Sequence, residues 1–125
     1  MTDWTDEELA AVGQAEELDL RSARADGSLR DPVTMWVVRD GSDLYVRPIK
    51  GREGWYRGTR TRHEGHVSSG GIGKDVTFED AAGDSGLNAA LDDAYRAKYG
   101  RYPENIVATV VSDLARSATL RLTPR

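Results

Sequence analysis

Residues 33–47 of the chain read VTMWVVRDGSDLYVR, and this stretch decides the class of fold. Its first six residues are mostly β-branched or aromatic, which is typical of a well-buried strand. Asp40-Gly41 follows as a strong hairpin-turn signal. The chain then returns through Leu44-Tyr45-Val46-Arg47, and alternation predicts that Leu44 and Val46 face inward. The stretch therefore predicts an antiparallel β-hairpin.

Further short strands flank this hairpin on both sides. Apolar residues that alternate or cluster predict them at 16–23, 65–69, 74–79 and 118–122. Consecutive strands joined by short turns favour an antiparallel sheet or barrel over a doubly wound fold. A barrel also removes exposed sheet edges, which suits strands this short. We therefore expect an antiparallel barrel of about six strands.

Helices are predicted on both sides of the strand region. Thr5-Asp6-Glu7-Glu8 is a capping box that predicts a helix at the N-terminus, and Trp4 is placed to attach that helix to the body. Apolar residues at helical spacing predict another helix between Asp84 and Gly100. Segment 103–111 is either a helix opened by its proline or a strand, because it is rich in β-branched residues. The fold class is therefore α+β, with an N-terminal helix and one or two helices in the C-terminal half.

Length and composition limit the function classes. The 125 residues predict a single domain spanning 1–125, and the absence of cysteine excludes disulfides and thiol chemistry. The acidic start lacks a secretory signal and no apolar run is as long as a membrane span, so we expect a soluble cytoplasmic protein. The net charge of −4 argues against general nucleic-acid binding. Six Lys or Arg residues between 47 and 66 indicate either a local anion site or a solvated loop.

Several short motifs occur in an order that is typical of one known family. Ala23-Arg24-Ala25-Asp26-Gly27 stands where that family has a Gly-Arg-Lys-Ser/Thr-Gly turn. Arg47-Pro48-Ile49-Lys50-Gly51 ends the returning strand, where the family has Ser-Lys-Gly, and Trp55-Tyr56 and Tyr102-Pro103 follow. These motifs resemble the deazaflavin-dependent nitroreductase-like family, part of the FMN-binding split-barrel superfamily, over roughly residues 16–125. The Trp-Thr-Xaa-Glu-Glu-Leu start and the Ala-Tyr-Arg-Xaa-Lys-Tyr helix are similar to a smaller, uncharacterised bacterial family.

The resemblance implies a split barrel with a site for FMN or an 8-hydroxy-5-deazaflavin. In the family, the turn and the Lys-Gly segment hold the cofactor phosphate. In this chain, stacking on Trp55 and Tyr56 would cover an isoalloxazine ring or a flat substrate. Carried over to this chain, the cofactor-binding residues are Arg24, Lys50, Gly51, Trp55, Tyr56 and Arg57. Trp55 has an alternative role as a core residue that plugs the barrel. Two residues depart from the family turn, because its lysine is Ala25 and its hydroxyl residue is Asp26, whose carboxylate repels a phosphate.

Two functions follow from these residues. One is a flavin- or deazaflavin-dependent oxidoreductase acting on a small organic substrate, in which the cofactor supplies the chemistry and no catalytic residue is identified. The other is a non-catalytic binding or accessory protein that kept the barrel and lost the redox cofactor, which Ala25 and Asp26 favour. The pair His63 and His66 lacks a third ligand at a recognisable spacing, so no metal site is predicted. The expected partner is a small molecule, and both a homodimer and a monomer remain open.

Overall fold

The computed structural model describes residues 3–52 and 55–125. The strands in these ranges are β1 (Leu18–Ser22), β2 (Val33–Met35), β3 (Val38–Asp40), β4 (Asp43–Val46), β5 (Glu64–Ser69), β6 (Ile72–Asp80) and β7 (Leu120–Pro124). The helices are α1 (Asp6–Gln14), α2 (Tyr56–Arg62), α3 (Ser85–Tyr99), α4 (Glu104–Val110) and α5 (Asp113–Arg116). No helix in these two ranges is long and apolar enough to cross a membrane.

The strands form one antiparallel sheet that curls on itself. Their order is β2-β1-β5-β6-β7-β4-β3, so β2 and β3 are its edges. Only Trp36-Val37 separates these two edge strands along the chain. Because three Cα–Cα steps cover at most about 11 Å, the sheet has to bend until its edges lie close together. The fold is therefore an α+β split barrel, and the predicted fold class is confirmed.

The structure divides the segment that the sequence predicted as one strand over 33–38. The Trp36 ring stacks on Tyr99 of α3, with centroids 4.0 Å apart and planes 3° apart. The Val37 N–H donates to the Tyr99 hydroxyl at 3.2 Å and not to a neighbouring strand. α3 thus holds the chain where it passes from one sheet edge to the other. Strand propensity depends on the local sequence and carries no information about a contact with a distant helix. The sequence therefore predicted one strand here, and the sheet has one strand more than expected.

The barrel encloses one apolar core, and a second core lies between its outer face and α3. Leu44 and Val46 of β4 point into the barrel, as predicted, and both are fully buried. Tyr45 lies between them on the opposite face and belongs to the second core. Trp4 packs in the barrel core, and its indole N–H donates to the Leu122 carbonyl at 2.8 Å. The predicted attachment of the first helix through Trp4 is therefore confirmed, as is the Thr5 capping box.

In the last third of the chain, the structure decides between helix and strand for segment 103–111 and contains one helix that was not predicted. Segment 103–111 contains the helix α4, so the strand alternative is wrong. The short helix α5 was not predicted; the Ser112 hydroxyl caps it by accepting from the Ala115 N–H at 3.1 Å. The final strand begins at Leu120, later than the expected residue 118, because the Ala118 N–H still donates to the Ala115 carbonyl. β7 then lies between β4 and β6.

Candidate functional site

A cavity of about 520 Å³ lies at the edge of β2. One wall is formed by residues 33–36 and another by residues 47–50, which continue from β4. The remaining lining comes from Glu17, Trp55, Ile106, Thr109 and Val110. Ligand sites in proteins measure roughly 300–1,000 Å³ and are lined mainly by apolar groups with a few polar ones. The volume and lining of this cavity, hereafter the main cavity, therefore suit a small organic ligand.

Two tryptophans give the main cavity flat apolar surfaces. Trp55 is half-buried, packs against the barrel core and also borders a smaller hollow beside Val33. Trp36 lies at the other end of the 33–36 wall and is backed by Tyr99. At about 3.3 Å per residue, that wall is about 10 Å long. Trp55 thus packs on the core, and because it also lines the main cavity, its role in stacking on a flat ring stays a prediction.

Lys50 supplies an available positive charge on the wall of the main cavity. Its side chain is exposed and makes no hydrogen bond or ion pair with the residues in 3–52 and 55–125. Of the described lining residues, the exposed Glu17 is the acidic one. A ligand in this cavity can therefore place an anionic group at Lys50.

Arg47 lines the main cavity but is not available to a ligand. Its side chain is completely buried and donates to Asp92, Asn88, Thr119 and the Val110 carbonyl at 2.5 to 3.1 Å. These bonds tie the end of β4 to α3, to α4 and to the segment leading into β7. Burial alone would raise the pKa of the Asp92 carboxyl, but the hydrogen bonds from Arg116 and Arg47 hold it below its usual value. Arg47 therefore fixes the wall of the cavity.

Arg30 is a cation near the main cavity that the sequence did not single out. It borders a hollow of about 130 Å³, which shares Val33 and Trp55 with the main cavity. One guanidinium nitrogen of Arg30 donates to the Ala23 carbonyl at 2.9 Å and lies 3.4 Å from the Gly58 carbonyl. Its other two nitrogens make no hydrogen bond with the described residues and remain as donors.

The hollow also depends on the small residue that lies beside Arg30. A Cβ at Gly58 would stand 2.7 Å from the Ser22 hydroxyl and 3.3 Å from the Arg30 guanidinium, so a larger residue would displace both. Asp31 also lines the hollow, so its lining contains an acidic residue as well as a basic one. In the sequence, Arg30 stands three residues beyond the turn glycine Gly27. No pattern there distinguishes a cavity arginine from an exposed loop arginine.

The predicted phosphate turn uses its donors internally. Asp26 Oδ1 accepts from the Ser28 N–H at 2.9 Å and from the Ser28 hydroxyl at 2.6 Å. These hydrogen bonds lower the pKa of the Asp26 carboxyl. Arg24 donates to the Leu29 carbonyl at 2.9 Å and does not line either cavity described above. The Asp26 carboxylate thus takes donors that an external anion would use in such a turn.

The remaining predicted site residues lie close to Lys50 in sequence but differ in environment. The Gly51 N–H donates to the Pro48 carbonyl at 3.1 Å, and a Cβ at this residue would stand 2.5 Å from Leu114 Cδ1. Tyr56 is buried in the barrel core, and Arg57 is exposed on α2. Of the predicted set, the lining of the main cavity brings together Lys50 and Trp55.

The two histidines lie on different elements. His63 ends α2 in the left-handed conformation, with φ of 58°, and His66 lies on β5, where Nδ1 is 2.9 Å from Asp75 Oδ1. They do not share a helical face. Across residues 3–52 and 55–125, no group of three or more His, Cys, Asp or Glu side chains is placed to hold a metal ion.

A comparison with protein families identifies the relatives of the chain. The profile of a family described as an uncharacterized protein conserved in bacteria, DUF2255, matches residues 8–122. The chain belongs to the DUF2255 family. The expected relation to a small, uncharacterised bacterial family is thus confirmed. None of the curated proteins matches this DUF2255 sequence.

Solved structures share the fold of this DUF2255 protein at low sequence identity. A conserved hypothetical protein from Mycobacterium tuberculosis has a TM-score of 0.65 at 9% identity, over 99% of this chain and 81% of that chain. An FAD-binding protein from Mesorhizobium loti has a TM-score of 0.58 at 15% identity, over 98% and 91% of the two chains. A protein described as F420 reductase has a TM-score of 0.54 at 16% identity, over 93% and 90%. These likenesses confirm the split-barrel fold.

The described lining of the main cavity combines flat apolar surfaces with positive charge. It offers two aromatic surfaces, apolar contacts from α4, the Lys50 ammonium, and the Arg30 guanidinium in the adjoining hollow. Among the lining residues in 3–52 and 55–125 there is no histidine, and the one acidic residue, Glu17, is exposed. Such a site suits a ligand that combines a flat ring with an anionic tail.

Proposed function

We propose that this DUF2255 chain is a flavin- or deazaflavin-dependent oxidoreductase that acts on a small organic substrate and holds its cofactor in the main cavity. The proposal is carried by one observation: a cavity of about 520 Å³ has a tryptophan at each end of its strand wall, and on its lining Lys50 makes no ion pair with the described residues. The structural neighbours described as an FAD-binding protein and an F420 reductase support a flavin-type cofactor.

The ring of FMN or an 8-hydroxy-5-deazaflavin fits the apolar part of the main cavity. Trp55 and Trp36 provide faces for stacking, and Ile106 of α4 adds an apolar contact. When bound, such a ring supplies the hydride chemistry. The side chains of this protein orient the ring and exclude water from it, and Arg47 keeps the α4 wall at a fixed distance from β4 through the Val110 carbonyl.

The phosphate of the cofactor would lie between Lys50 and Arg30. The hollow that contains Arg30 shares Val33 and Trp55 with the main cavity, so a tail that leaves the ring beside Trp55 can reach both cations. Arg24 could contribute only after giving up its bond to the Leu29 carbonyl. The Gly51 amide would likewise have to leave the Pro48 carbonyl. The exposed Arg57 remains a further candidate for the phosphate.

Titration with the two cofactors tests this proposal. Purified protein is titrated with FMN and, separately, with an 8-hydroxy-5-deazaflavin, and ring fluorescence reports binding. We expect micromolar affinity in low salt. Lys50→Ala should weaken FMN about tenfold, because a charge-assisted hydrogen bond contributes about 1.5–3 kcal/mol and solvent screening reduces that value at an exposed residue.

A matched variant controls for the loss of net charge. Arg96 is an exposed cation of α3 that does not line the main cavity, so Arg96→Ala should leave the affinity unchanged. If neither cofactor binds the unaltered protein, the redox proposal is wrong. If Lys50→Ala and Arg96→Ala bind FMN equally well, Lys50 does not contact the phosphate.

A second candidate function is a small-ligand-binding or accessory protein without a redox cofactor. The observation that favours it is the Asp26 carboxylate, which closes the turn through Ser28. This function predicts that a small aromatic anion such as indole-3-acetate binds and shifts the indole signals of Trp36 and Trp55 in an NMR titration. Neither flavin nor deazaflavin would then compete with it.

A further inference from the structure

The β2 wall of the main cavity is the edge of a strand. The Met35 side chain packs against the barrel core, whereas the Thr34 hydroxyl donates to Asp19 Oδ1 at 2.5 Å on the exposed face. Successive side chains of a strand point to opposite faces. A cavity lined by the consecutive residues Val33, Thr34, Met35 and Trp36 must therefore run along the edge between the two faces. Backbone groups contribute to this wall as well as side chains.

This strand edge is unpaired. β2 pairs with β1 on one side and ends the sheet on the other. Alternate residues of an antiparallel strand turn both N–H and C=O to the same side, so some backbone groups of β2 point away from β1. Within 3–52 and 55–125, no group outside β1 hydrogen-bonds to the backbone of residues 33–36. The opposite edge strand, β3, differs because α1 and α3 pack against it.

We propose that the unpaired edge of β2 recognises a cyclic imide through backbone hydrogen bonds. The imide is the C=O, N–H, C=O group that FMN and 8-hydroxy-5-deazaflavin have in common, and this inference rests on the proposed function. A strand edge presents N–H donors and C=O acceptors, which are the partners that an imide needs. The backbone groups of the β2 edge therefore give specificity for the ring, and Lys50 and Arg30 give specificity for an anionic tail.

The positions of Arg30 and of the two tryptophans agree with a ring whose imide side lies along β2. Arg30 adjoins the Val33 end of the edge, so a ring whose imide side lies along β2 can direct its tail toward that end. An extended peptide could use the same backbone groups by adding a strand to the sheet. The tryptophans at the two ends of this wall, which is about 10 Å long, favour a flat ring over a peptide. An NMR titration distinguishes the two ligands.

A matched pair of ligands tests the imide directly. Lumiflavin and N3-methyl-lumiflavin both lack a phosphate, so neither depends on Lys50 or Arg30. The methyl group removes the imide N–H, and we expect N3-methyl-lumiflavin to bind about tenfold more weakly, which corresponds to about 1.4 kcal/mol. Equal affinities would overturn the inference and leave the proposed function intact. If neither lumiflavin nor FMN binds, both are wrong.

Backbone signals provide an independent readout. In a ¹⁵N-labelled protein, lumiflavin should shift at least one amide signal of residues 33–36, and N3-methyl-lumiflavin should shift it less. An extended peptide that shifts these amides when lumiflavin does not would assign the edge to peptide binding and overturn the inference.

Proline variants separate the two sides of β2. Thr34→Pro and Met35→Pro each remove one backbone N–H, and because alternate residues face β1, only one of them removes a ladder hydrogen bond. The variant that keeps its circular dichroism spectrum should lose lumiflavin affinity several-fold. Full affinity in that variant would show that its N–H does not contact the ring. If both variants unfold, the ligand-induced shifts of the amide signals of residues 33–36 in the unaltered protein show whether the ring contacts this edge.

Discussion

The strongest stability prediction concerns Arg47→Met. Methionine retains an apolar stem of similar length but removes every donor of the buried guanidinium. The Val110 and Asn88 carbonyls, which Arg47 contacts at 3.0 and 3.1 Å, would then lose this partner. Asp92 keeps Arg116, whose nitrogens lie 2.6 and 2.9 Å from its Oδ2. Breaking a buried pair from one side costs about 3–5 kcal/mol, and because Arg116 remains, we expect about 3 kcal/mol.

Urea unfolding followed by circular dichroism measures this loss. For a domain of this length, about 3 kcal/mol corresponds to a fall in Tm of roughly 10 °C. Arg96→Met is the matched control, because Arg96 is exposed and its loss should change the free energy of unfolding by less than about 0.5 kcal/mol. If Arg47→Met costs less than about 1 kcal/mol, the network does not hold the cavity wall, and α4 is not positioned through Val110.

The same network predicts a pH dependence with a definite sign. The folded pKa of Asp92 lies below its unfolded value because the hydrogen bonds from Arg116 and Arg47 outweigh the effect of burial. The stabilisation is therefore complete above the unfolded pKa of about 3.9 and is lost as the pH falls through the folded pKa. Asp92→Asn should be less stable than the unaltered protein at pH 7, and the difference should shrink below about pH 4. A constant difference from pH 7 to pH 3 would contradict this cause.

Three further predictions follow from single contacts. Gly51→Ala places a Cβ 2.5 Å from Leu114 Cδ1 at a φ of 67°, and should cost about 1–3 kcal/mol in urea unfolding. Gly41→Ala is its control, because nothing lies within 4 Å there and only the φ strain remains. Trp4→Phe removes the indole N–H that donates to a β7 carbonyl, and should cost about 1–3 kcal/mol by the same measurement. Burial lowers the pKa of Lys98 to about 8. The unfolded chain then binds this proton more tightly, so stability should rise from about pH 8 to 9.5 and should rise less in Lys98→Met.

Local signals in the sequence were sufficient for most of the fold. The capping box at Thr5, the turn at Asp40-Gly41 and the alternation in β4 depend on neighbouring residues, and all three occur in the structure. The break at Trp36-Val37 could not be predicted this way, because it depends on Tyr99, which is 62 residues from Val37 along the chain. Segment 103–111 was ambiguous for a similar reason, since β-branched residues form a helix there only when packing supports it.

The candidate site was less accessible from sequence than the fold. Lys50 and Trp55 were found through the order of motifs, and both line the main cavity. Arg47 was counted with the basic residues that indicated either a local anion site or a solvated loop, yet it is buried against partners 41 to 72 residues away. Arg30 was missed because an arginine in a loop belongs to no helical or strand pattern in the sequence. It borders a hollow only because α2 and β2 come together beside it in the fold.

On the proposed function, the turn that contains Asp26 gives a physical reason for the phosphate to bind at Arg30. A phosphate turn works when its N–H and O–H groups have no internal acceptor. Here Asp26 supplies that acceptor, with both a backbone and a side-chain bond to Ser28, so the turn is satisfied before any ligand arrives. Arg30 differs, since one guanidinium nitrogen donates to the Ala23 carbonyl while the other two make no hydrogen bond within residues 3–52 and 55–125. A guanidinium fixed at one end loses little entropy when it binds an anion. On the proposed function, the phosphate therefore binds Arg30 at the Trp55 end of the cavity and not the turn that Asp26 closes.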